Sequence, residues 1–344
     1  MNDKCASIHL MKSGVLALAL FAAGPAPAAD LVAANPRALA AAIERAGPGD
    51  RIILSGGRYG DLTIGPRRGQ GALTISAADA ASPPVFRSIF VRDADNVTFD
   101  NLEVTFGVSA APLTDSAVEI RRSSGVRLKG MTIRSSANRV AGDDAYGVII
   151  RDSRDVAVLE NSLHDVFRAV AVFDSDDVMI SANTIARAGS DGVVARGVVG
   201  LVVENNTLSD FAPVDPAKWH PDGVQLWSRG ARRANERIVI RGNIIRRGEG
   251  APAQGIFIKS PEILSRDILI EGNRIEQAMG QGIFVQHAIG VTIRSNILAA
   301  APPVLHPPAI EVRMPFENAV VENNTAPKYR LPAEVVANAN RRTD

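Results

Sequence analysis

Residues 219–227, WHPDGVQLW, collect in one short stretch several side chains that can take part in catalysis or bind a sugar. Val224 and Leu226 alternate with their neighbours, which predicts a β-strand with these two residues facing a core and the others facing outward. The chemically useful side chains, bracketed by the only two tryptophans of the chain, are Trp219, His220, Asp222, Gln225 and Trp227. Histidine and aspartate are common general acids and bases, so the stretch predicts a site on the outer surface of a strand.

A second aspartate, Asp191 in SDGVVAR, precedes a glycine and a strand in the same way as Asp222. If the two strands are neighbours, two carboxylates lie close together, which is costly unless the pair is used. Three uses are open: the pair binds Ca²⁺, it acts as general acid and base, or each aspartate forms an ion pair with Arg168 or Arg196. Asp191 and Asp222 are therefore candidate catalytic residues and also a candidate calcium site.

Internal repeats indicate that these strands are neighbours. One strand pattern recurs as AVEIR, GVIIR, AVAVF, GVVAR, GVQLW, GIFIK, GIFVQ and AIEVR. A second strand pattern carries an asparagine in a fixed slot, and the shortest spacings of that slot are 22 and 23 residues. The aligned asparagines are Asn101, Asn161, Asn183, Asn206, Asn243, Asn273, Asn296 and Asn324, and Gly130 takes the same slot. Short alternating strands without helical periodicity predict an all-β, right-handed parallel β-helix with asparagines stacked at one turn.

In such a β-helix, the outward residues of successive strands form columns with about 4.8 Å between coils. One column is rich in cations, which suits a polymer with repeated carboxylates or sulfates, although a solvated charge stripe would look the same. Aromatic residues beside it predict a stacking platform for sugar rings, unless a loop covers them. The candidate substrate-binding residues on this face are Arg168, Arg196, Gln225, Trp227, Gln254, Phe257, Gln286 and Arg313, with Trp219 at the rim.

The N-terminus predicts export. Two lysines precede the apolar run GVLALALFAAG, and the small residues that follow suit a signal peptide over residues 1–28, which would also remove the only cysteine, Cys5. Without those residues the formal charge is 36 basic minus 36 acidic groups, so bulk charge does not favour nucleic acid. No later apolar run is long enough for a membrane anchor. We expect a periplasmic or secreted bacterial protein.

We expect residues 29–344 to form one domain, with no linker inside it. Residues 29–60 contain the one helical pattern, ANPRALAAAIERAG, and should cap the open N-terminal end of the β-helix. Residues 327–344 should cover the other end. A capped β-helix of this kind is expected to be a monomer.

Two stretches of the chain resemble a known family. ALAAAIERAGPGDRIILSGGRYGDLTI looks like the entry segment of polysaccharide lyase family 6, the alginate lyases and chondroitinase B, and QGIFIKSPEILSRDILIEGNRIEQAMGQGIFVQHAIGVTIRSNIL looks like the catalytic coils of that family. In the family a Lys-Ser pair supplies the catalytic base and an Arg-His pair on the next coil supplies the acid. The resemblance implies that Lys259 is the base and that His287 belongs to the acid pair, with Gln286 in place of the arginine. Gln254 stands near the position of the family's calcium-binding glutamates.

Three functions are consistent with these residues. The first is a polyuronide lyase or C5-epimerase, because both reactions remove the proton at C5 of a uronic acid and need the carboxylate neutralised. Lys259 or His220 would then be the base, and Arg196, Arg313 or Gln225 would neutralise the carboxylate.

The other two functions use the same face differently. A glycoside hydrolase similar to the polygalacturonases would use Asp191 and Asp222 as general acid and base, although the Asn-Thr-Asp and Gly-His-Gly signatures of that family are absent. A non-catalytic protein would bind glycan on this face without turnover. In each case the expected partner is a polysaccharide or oligosaccharide, and the first function requires it to be acidic.

Overall fold

A computed structural model describes residues 28–136, 138–215, 220–277, 279–304 and 306–343. The predicted signal peptide, apart from its last residue, and Trp219 lie outside the described residues. The described chain winds into successive coils whose strands pair in parallel, coil upon coil, along the length of the molecule. This confirms the predicted all-β fold, a right-handed parallel β-helix with one N-terminal helix.

Each complete coil contributes a strand to three parallel sheets, which we name A, B and C. Sheet A contains Ser116–Arg121, Tyr146–Arg151, Val170–Phe173, Val193–Arg196, Asp222–Trp227, Gln254–Lys259 and Lys328–Arg330. Sheet B contains Asp30–Ala33, Arg51–Leu54, Leu73–Ala77, Val97–Asp100, Ser124–Lys129, Arg154–Leu159, Asp176–Ser181, Val199–Glu204, Glu236–Arg241, Ser265–Glu271 and Val336–Asn338. Sheet C contains Glu103–Thr105, Thr132–Arg134, Ser162–Val166, Thr184–Ala188, Thr207–Ser209, Ile244–Arg246, Arg274–Gln277, Ile297–Ala300, Thr325–Ala326 and Arg341–Arg342.

Some strands turn a corner and serve two sheets. They are Gly57–Ile64, Pro84–Arg92, Gln281–Arg294 and Ala309–Glu322. Pro84–Arg92, for example, pairs with a strand of sheet C through Val85 and with a strand of sheet A through Ile89.

The interior of the β-helix is filled by aliphatic side chains stacked in columns. The column under sheet A consists of Val118, Val148, Val170, Val193, Val224, Ile256, Ile283 and Ile310, each 0% exposed. β-branched residues suit this position because they fit a pleated, fully buried surface. The strict alternation fixes which side chains point outward, since a slip of one residue would bury the polar set.

The asparagine stack forms at the corner between sheets B and C. The Oδ1 atom of Asn243 accepts hydrogen bonds from the backbone N–H and from the Nδ2 group of Asn206, both at 3.0 Å, and Asn243 Nδ2 donates to the carbonyl of Val203 at 2.9 Å. The same pattern joins the members of the ladder, which are Asn161, Asn183, Asn206, Asn243, Asn273, Asn296, Asn324 and Asn340.

The ladder corrects the predicted alignment at its N-terminal end. Asn101 and Gly130 do not occupy the ladder slot; they align with Glu160, one residue before it, and all three have positive φ. The slot itself holds Leu102 and Met131 in those coils, both 1% exposed. The first coils therefore replace the amide column by apolar side chains, and Asn340 adds a last member that the repeats did not reveal.

The single helix, Pro36–Arg45, contacts the first strands at the N-terminal end of the coil. Asn35 caps it by accepting a hydrogen bond from the N–H of Ala38 at 2.9 Å, with proline at the first helical position. At the other end, residues 328–342 pair in parallel with the preceding coil and add short strands to all three sheets. Within the described residues, no helix has the length and apolar character needed to cross a membrane.

Candidate active site

The outer face of sheet A has the register that the repeats predict. Asp222 lies opposite Gln254, Gln225 opposite Phe257, and Trp227 opposite Lys259. The next coil places Phe284 beside Phe257 and Gln286 beside Lys259, and Arg313 follows Gln286. The candidate residues of this face are thus neighbours along columns, and their side-chain contacts decide what each can do.

Asp191 forms an ion pair with Arg168. The carboxylate is 2% exposed, and its Oδ2 lies 2.8 Å from Arg168 Nε, while its Oδ1 accepts the backbone N–H of Asp222 at 3.2 Å. Burial raises the pKa of Asp191 above its ordinary value, and Arg168 opposes that shift. Of the three uses left open for this aspartate, the structure contains the ion pair with Arg168; Arg196 makes no such pair within the described part of the chain.

Asp222 is buried and has no ion-pair partner among the described residues. It is 2% exposed, its Oδ2 accepts a hydrogen bond from Gln225 Nε2, and its Oδ1 has no partner among the described residues. Gln254 Oε1, on the opposing residue of the next coil, also has none. Burial, followed by the repulsion of Asp191, raises the pKa of Asp222 well above its ordinary value. A proton on Asp222 would remove the buried negative charge.

These two aspartates do not fit a calcium ion. Calcium takes about six to eight oxygen ligands, but the Asp191 carboxylate already binds the Arg168 guanidinium. The described residues contain no cluster of three or more His, Cys, Asp or Glu side chains that could hold a metal.

The aromatic residues stack on one another. The ring centroids of Trp227 and Phe257 lie 6.3 Å apart at an interplanar angle of 19°, and those of Phe257 and Phe284 lie 4.7 Å apart at 11°. Phe257 therefore has an aromatic neighbour on either side, and Phe284 is buried. The stacking platform for sugars stays a prediction: Phe257 is enclosed by these ring contacts, whereas Trp227 has one aromatic neighbour among the described residues.

The cations of this face fall into two groups. Arg313 is bound to the buried carboxylate of Glu311, which Arg330 also contacts at 2.7 Å. Arg196 and Lys259, in contrast, have no carboxylate partner in the described part of the chain. Arg196 lies over the ring of Phe173 at 5.1 Å, and its Nε is buried without a hydrogen-bond partner among the described residues. These two cations are available to a ligand, whereas Arg313 is largely engaged.

A cleft of about 300 Å³ opens between these residues. It is lined by Arg168, Phe173, Val194, Ala195, Arg196, Gln225, Trp227 and Arg229. Lys259 Nζ and the Arg229 guanidinium carbon lie 5.7 Å and 5.8 Å from the Trp227 ring centroid, so both cations approach the edge of this cleft. The cleft thus contains an amide, two arginines without acidic partners in the described chain, and a neighbouring amine.

Arg229 was missed by the sequence analysis. It lies in SRGARRANE, the insertion that lengthens the turn after the Asp222–Trp227 strand, and an insertion of three arginines beside the predicted site was the available signal. Gly230 donates its backbone N–H to Glu262 at 2.8 Å, and Arg233 binds Asp176 at 2.6 Å, so contacts on two sides hold this insertion against the coil.

The two histidines predicted to be catalytic, His220 and His287, lie on different coils. His220 is exposed, and the structure gives it no hydrogen bond to Asp222. His287 follows Gln286 at the corner between sheets A and B, where φ is +59°, and its Nδ1 is buried without a partner among the described residues. Gln286 donates through Nε2 to the carbonyl of Met314 at 3.3 Å. Only Lys259, of the predicted bases, lies beside the cleft with its amine unpaired in the described chain.

Several larger cavities lie elsewhere on the molecule. One of about 650 Å³ lies at the corner between sheets A and B, where Arg122, Arg232 and Arg233 face aspartates to which they are ion-paired. Another, of about 550 Å³, contains Arg187 bound to Asp165 at 2.6 Å. These arginines are already ion-paired, whereas Arg196 and Arg229 have no acidic partner in the described chain, so we place the candidate site in the cleft on sheet A.

The fold and this cleft define the class of the protein, a right-handed parallel β-helix with a cationic cleft on sheet A. The family described as "Right handed beta helix region" matches residues 85–232. No curated protein matches the chain significantly.

Several solved structures share the fold. An alginate lyase from Paenibacillus sp. str. FPU-7 superposes with a TM-score of 0.58 at 16% identity, covering 90% of this chain and 99% of that one. The catalytic domain of a GH87 α-1,3-glucanase in complex with nigerose gives 0.58 at 12% identity, covering 88% and 59%. The Dettilon tailspike protein gives 0.57 at 12% identity, covering 89% and 64%. At these identities the similarity concerns the fold.

Proposed function

We propose that this protein is an enzyme acting on an acidic polysaccharide that lies along sheet A, and that it removes the proton at C5 of a uronic acid. The observation that carries the proposal is Lys259, an amine without an acidic partner in the described chain, beside a cleft that contains Arg229 and Gln225. The alginate lyase and the glucanase with the same fold support a carbohydrate substrate.

The chemistry requires two groups with different tasks. Arg229 and Gln225 bind the uronate carboxylate and stabilise the charge that develops on it as the C5 proton leaves. Lys259, in its unprotonated form, accepts that proton on Nζ. In elimination, the C5 electron pair forms the C4–C5 double bond, the bond from C4 to the glycosidic oxygen breaks, and the new ammonium of Lys259 can protonate the leaving oxygen. In epimerisation, water instead delivers a proton to C5 from the opposite face, and the ammonium of Lys259 returns its proton to solvent.

A glycoside hydrolase is the second candidate, favoured by the raised pKa of Asp222, which would suit a general acid. Against it, both carboxylates are 2% exposed, and Asp191 is bound to Arg168. A hydrolytic pair would need to reach the glycosidic bond from beneath Gln225. We therefore rank hydrolysis below proton abstraction.

The test is to incubate residues 29–344 with polymers of glucuronic, galacturonic, mannuronic or guluronic acid and follow the ultraviolet absorbance of a conjugated double bond. A rise identifies a lyase and its substrate. Deuterium uptake at C5 without cleavage identifies an epimerase. New reducing ends without unsaturation would contradict the proposal in favour of hydrolysis. If none of the three assays gives a signal although the glycan binds, the protein is a glycan-binding protein without turnover.

Export remains a proposal that rests on residues 1–28. Fractionation of cells that express the full chain should recover a shortened protein from the periplasm or the medium. Recovery of the full-length chain from the cytoplasm would contradict it.

A further inference from the structure

The outermost column of sheet A alternates in character from coil to coil. In successive coils it holds Arg151, Phe173, Arg196, Trp227, Lys259 and Gln286. The pairing of Ala195 with Leu226 puts Arg196 beside Trp227 and completes the register. A cation thus stands on every second coil, and an aromatic or amide side chain stands on the coil between.

The alternating cations are open to a ligand. Arg151, Arg196 and Lys259 are partly exposed and have no carboxylate partner among the described residues. On the outer face of sheet B, by contrast, arginines bind acidic residues on adjacent coils, as in the pairs Arg127–Asp155, Arg241–Glu204 and Arg294–Glu271. The column on sheet A therefore keeps a spaced set of charges that the fold itself does not use.

The aromatic positions hold these cations apart. The guanidinium carbons of Arg151 and Arg196 lie 4.5 Å and 5.1 Å from the Phe173 ring centroid, so one ring has a cation near it from the coil before and another from the coil after. Lys259 approaches Trp227 in the same way, at 5.7 Å. These contacts favour a fixed cation spacing of two coil heights, which is about 9–10 Å.

We infer that the polysaccharide bound on this column carries one carboxylate on every second sugar, so that acidic and uncharged sugars alternate. An extended pyranose chain along the column advances by about one coil height per sugar, so when the reacting uronate lies at Lys259, uronates two and four sugars away meet Arg196 and Arg151 in turn. A polymer of uronic acid alone would place further carboxylates against Phe173 and Trp227; the column has no cation at these positions, and Arg229, beside Trp227, already binds the carboxylate of the reacting uronate. This inference rests on the proposed function, since it takes Lys259 as the position of the reacting uronate.

Arg121 limits the alternation at one end. It lies beside Arg151 in the preceding coil, and Arg92 lies beside Arg121 in the coil before that, so three adjacent cations precede the alternation. The alternation covers the coils from Arg151 toward Lys259, which are the coils that lead to the cleft.

The experiment compares the binding of size-matched oligosaccharides to the Lys259→Gln variant, which cannot accept the proton and so does not consume the ligand. The probes are hyaluronan, with one carboxylate per disaccharide, polygalacturonate, with one per sugar, and carboxyl-reduced hyaluronan. We expect hyaluronan to bind at least tenfold more tightly than either of the others. Equal or tighter binding of polygalacturonate would overturn the alternating spacing while leaving the acidic-polysaccharide proposal intact. Binding of none of the three would overturn the alternating spacing, and the absorbance assay with the four uronic-acid polymers then tests the proposed function separately.

A second variant moves one cation to the neighbouring coil and keeps the number of cations in the column unchanged. In Phe173→Arg/Arg196→Ala, added to Lys259→Gln, one cation shifts by one coil, and thermal unfolding checks that the coil is intact. We expect the preference for hyaluronan to fall at least fivefold, because the spacing and not the number of charges has changed. An unchanged preference in a folded variant would contradict the inference.

Discussion

Two columns of polar side chains run along this molecule, each with one residue per coil, and they differ in where their hydrogen-bonding groups find partners. In the asparagine ladder, each side chain bonds the next one and a backbone carbonyl, as Asn243 does with Asn273 and Val203. In the outer column of sheet A, the charges of Arg196 and Lys259 have no acidic partner in the described chain. A polar column satisfied from within stabilises the fold, whereas a column left unsatisfied by the protein is available to a ligand.

Burial explains why the two columns can differ. Asn206, Asn243 and Asn296 are 0% exposed, and an unsatisfied amide there would cost about 1–3 kcal/mol. Arg196 and Lys259 are partly exposed, so water can solvate them in the free protein. Unpaired charge is therefore tolerated on sheet A. Mutations in the asparagine ladder should lower stability, whereas mutations in the column on sheet A should lower turnover or glycan affinity.

The largest expected effect is on turnover. Lys259→Ala removes the proposed proton acceptor, and loss of a general base typically lowers the rate by about 10²–10⁴-fold. We expect kcat to fall by about a thousandfold, measured by the absorbance of the unsaturated product, while unfolding changes little because Lys259 is partly exposed and has no ion-pair partner among the described residues.

The matched control is Lys129→Ala, which removes an exposed lysine at the end of a sheet B strand. It should retain full turnover. Normal kcat in Lys259→Ala would exclude this lysine as the base and direct attention to His220.

The next effect is on stability and belongs to the ladder. Asn243→Ala removes the acceptor of two hydrogen bonds from Asn206 and the donor to Val203. Because the orphaned groups are buried, we expect the free energy of unfolding to fall by about 3 kcal/mol, measured by chemical denaturation. Glycan affinity of the folded fraction should not change.

Asn338→Ala, at an exposed position in a sheet B strand, is the control and should unfold like the parent protein. Equal stability of Asn243→Ala and Asn338→Ala would show that the ladder is dispensable.

Asp222 shares one property with each column: it is buried like the ladder asparagines, and it lies on sheet A like the cations. Its folded-state pKa lies well above the ordinary value because of burial and Asp191. The folded protein therefore holds this proton more tightly than the unfolded chain does. The associated stability is complete below about pH 4 and is lost as the pH rises through the raised pKa.

Asp222→Asn mimics the protonated acid, so the variant should not lose stability as the pH rises through the raised pKa of Asp222. Between about pH 4 and the raised pKa, the stability of the variant should fall less steeply than that of the parent, by at most about 1.4 kcal/mol per pH unit. The measurement is denaturation at several pH values, with the exposed Asp267→Asn as control. Identical pH profiles of variant and parent would mean that Asp222 titrates as an ordinary aspartate. Retained turnover in Asp222→Asn would also count against hydrolysis.

Alternation and repeats were sufficient to predict the fold and the columns. They place Trp227 beside Lys259 and Asp191 one coil before Asp222, because a period of two within strands and a fixed slot between them determine the register. The same reasoning misplaced Asn101 by one residue, since a loop residue with positive φ and a ladder residue are both asparagine in this sequence.

Side-chain direction and depth were not predictable in this way. The register makes Phe257 and Phe284 neighbours but does not say whether their rings face each other or a ligand. The burial of Asp222 depends on packing above the sheet, which alternation along the strand does not encode. Arg229 enters the site from an insertion outside the repeats, so no column could contain it.

The smallest expected effect is the most direct test of the cation column. Arg196→Ala removes one proposed carboxylate contact, and a hydrogen bond to a charged group contributes about 1.5–3 kcal/mol, so affinity for a uronic-acid oligosaccharide should fall about tenfold. The matched control is Arg266→Ala, which removes an exposed arginine from sheet B and changes the net charge equally. If both variants lose affinity to the same extent, the glycan responds to overall charge and the column on sheet A is a solvated stripe. If only Arg196→Ala does so, with weaker salt dependence than the parent, the charge acts at its place in the column.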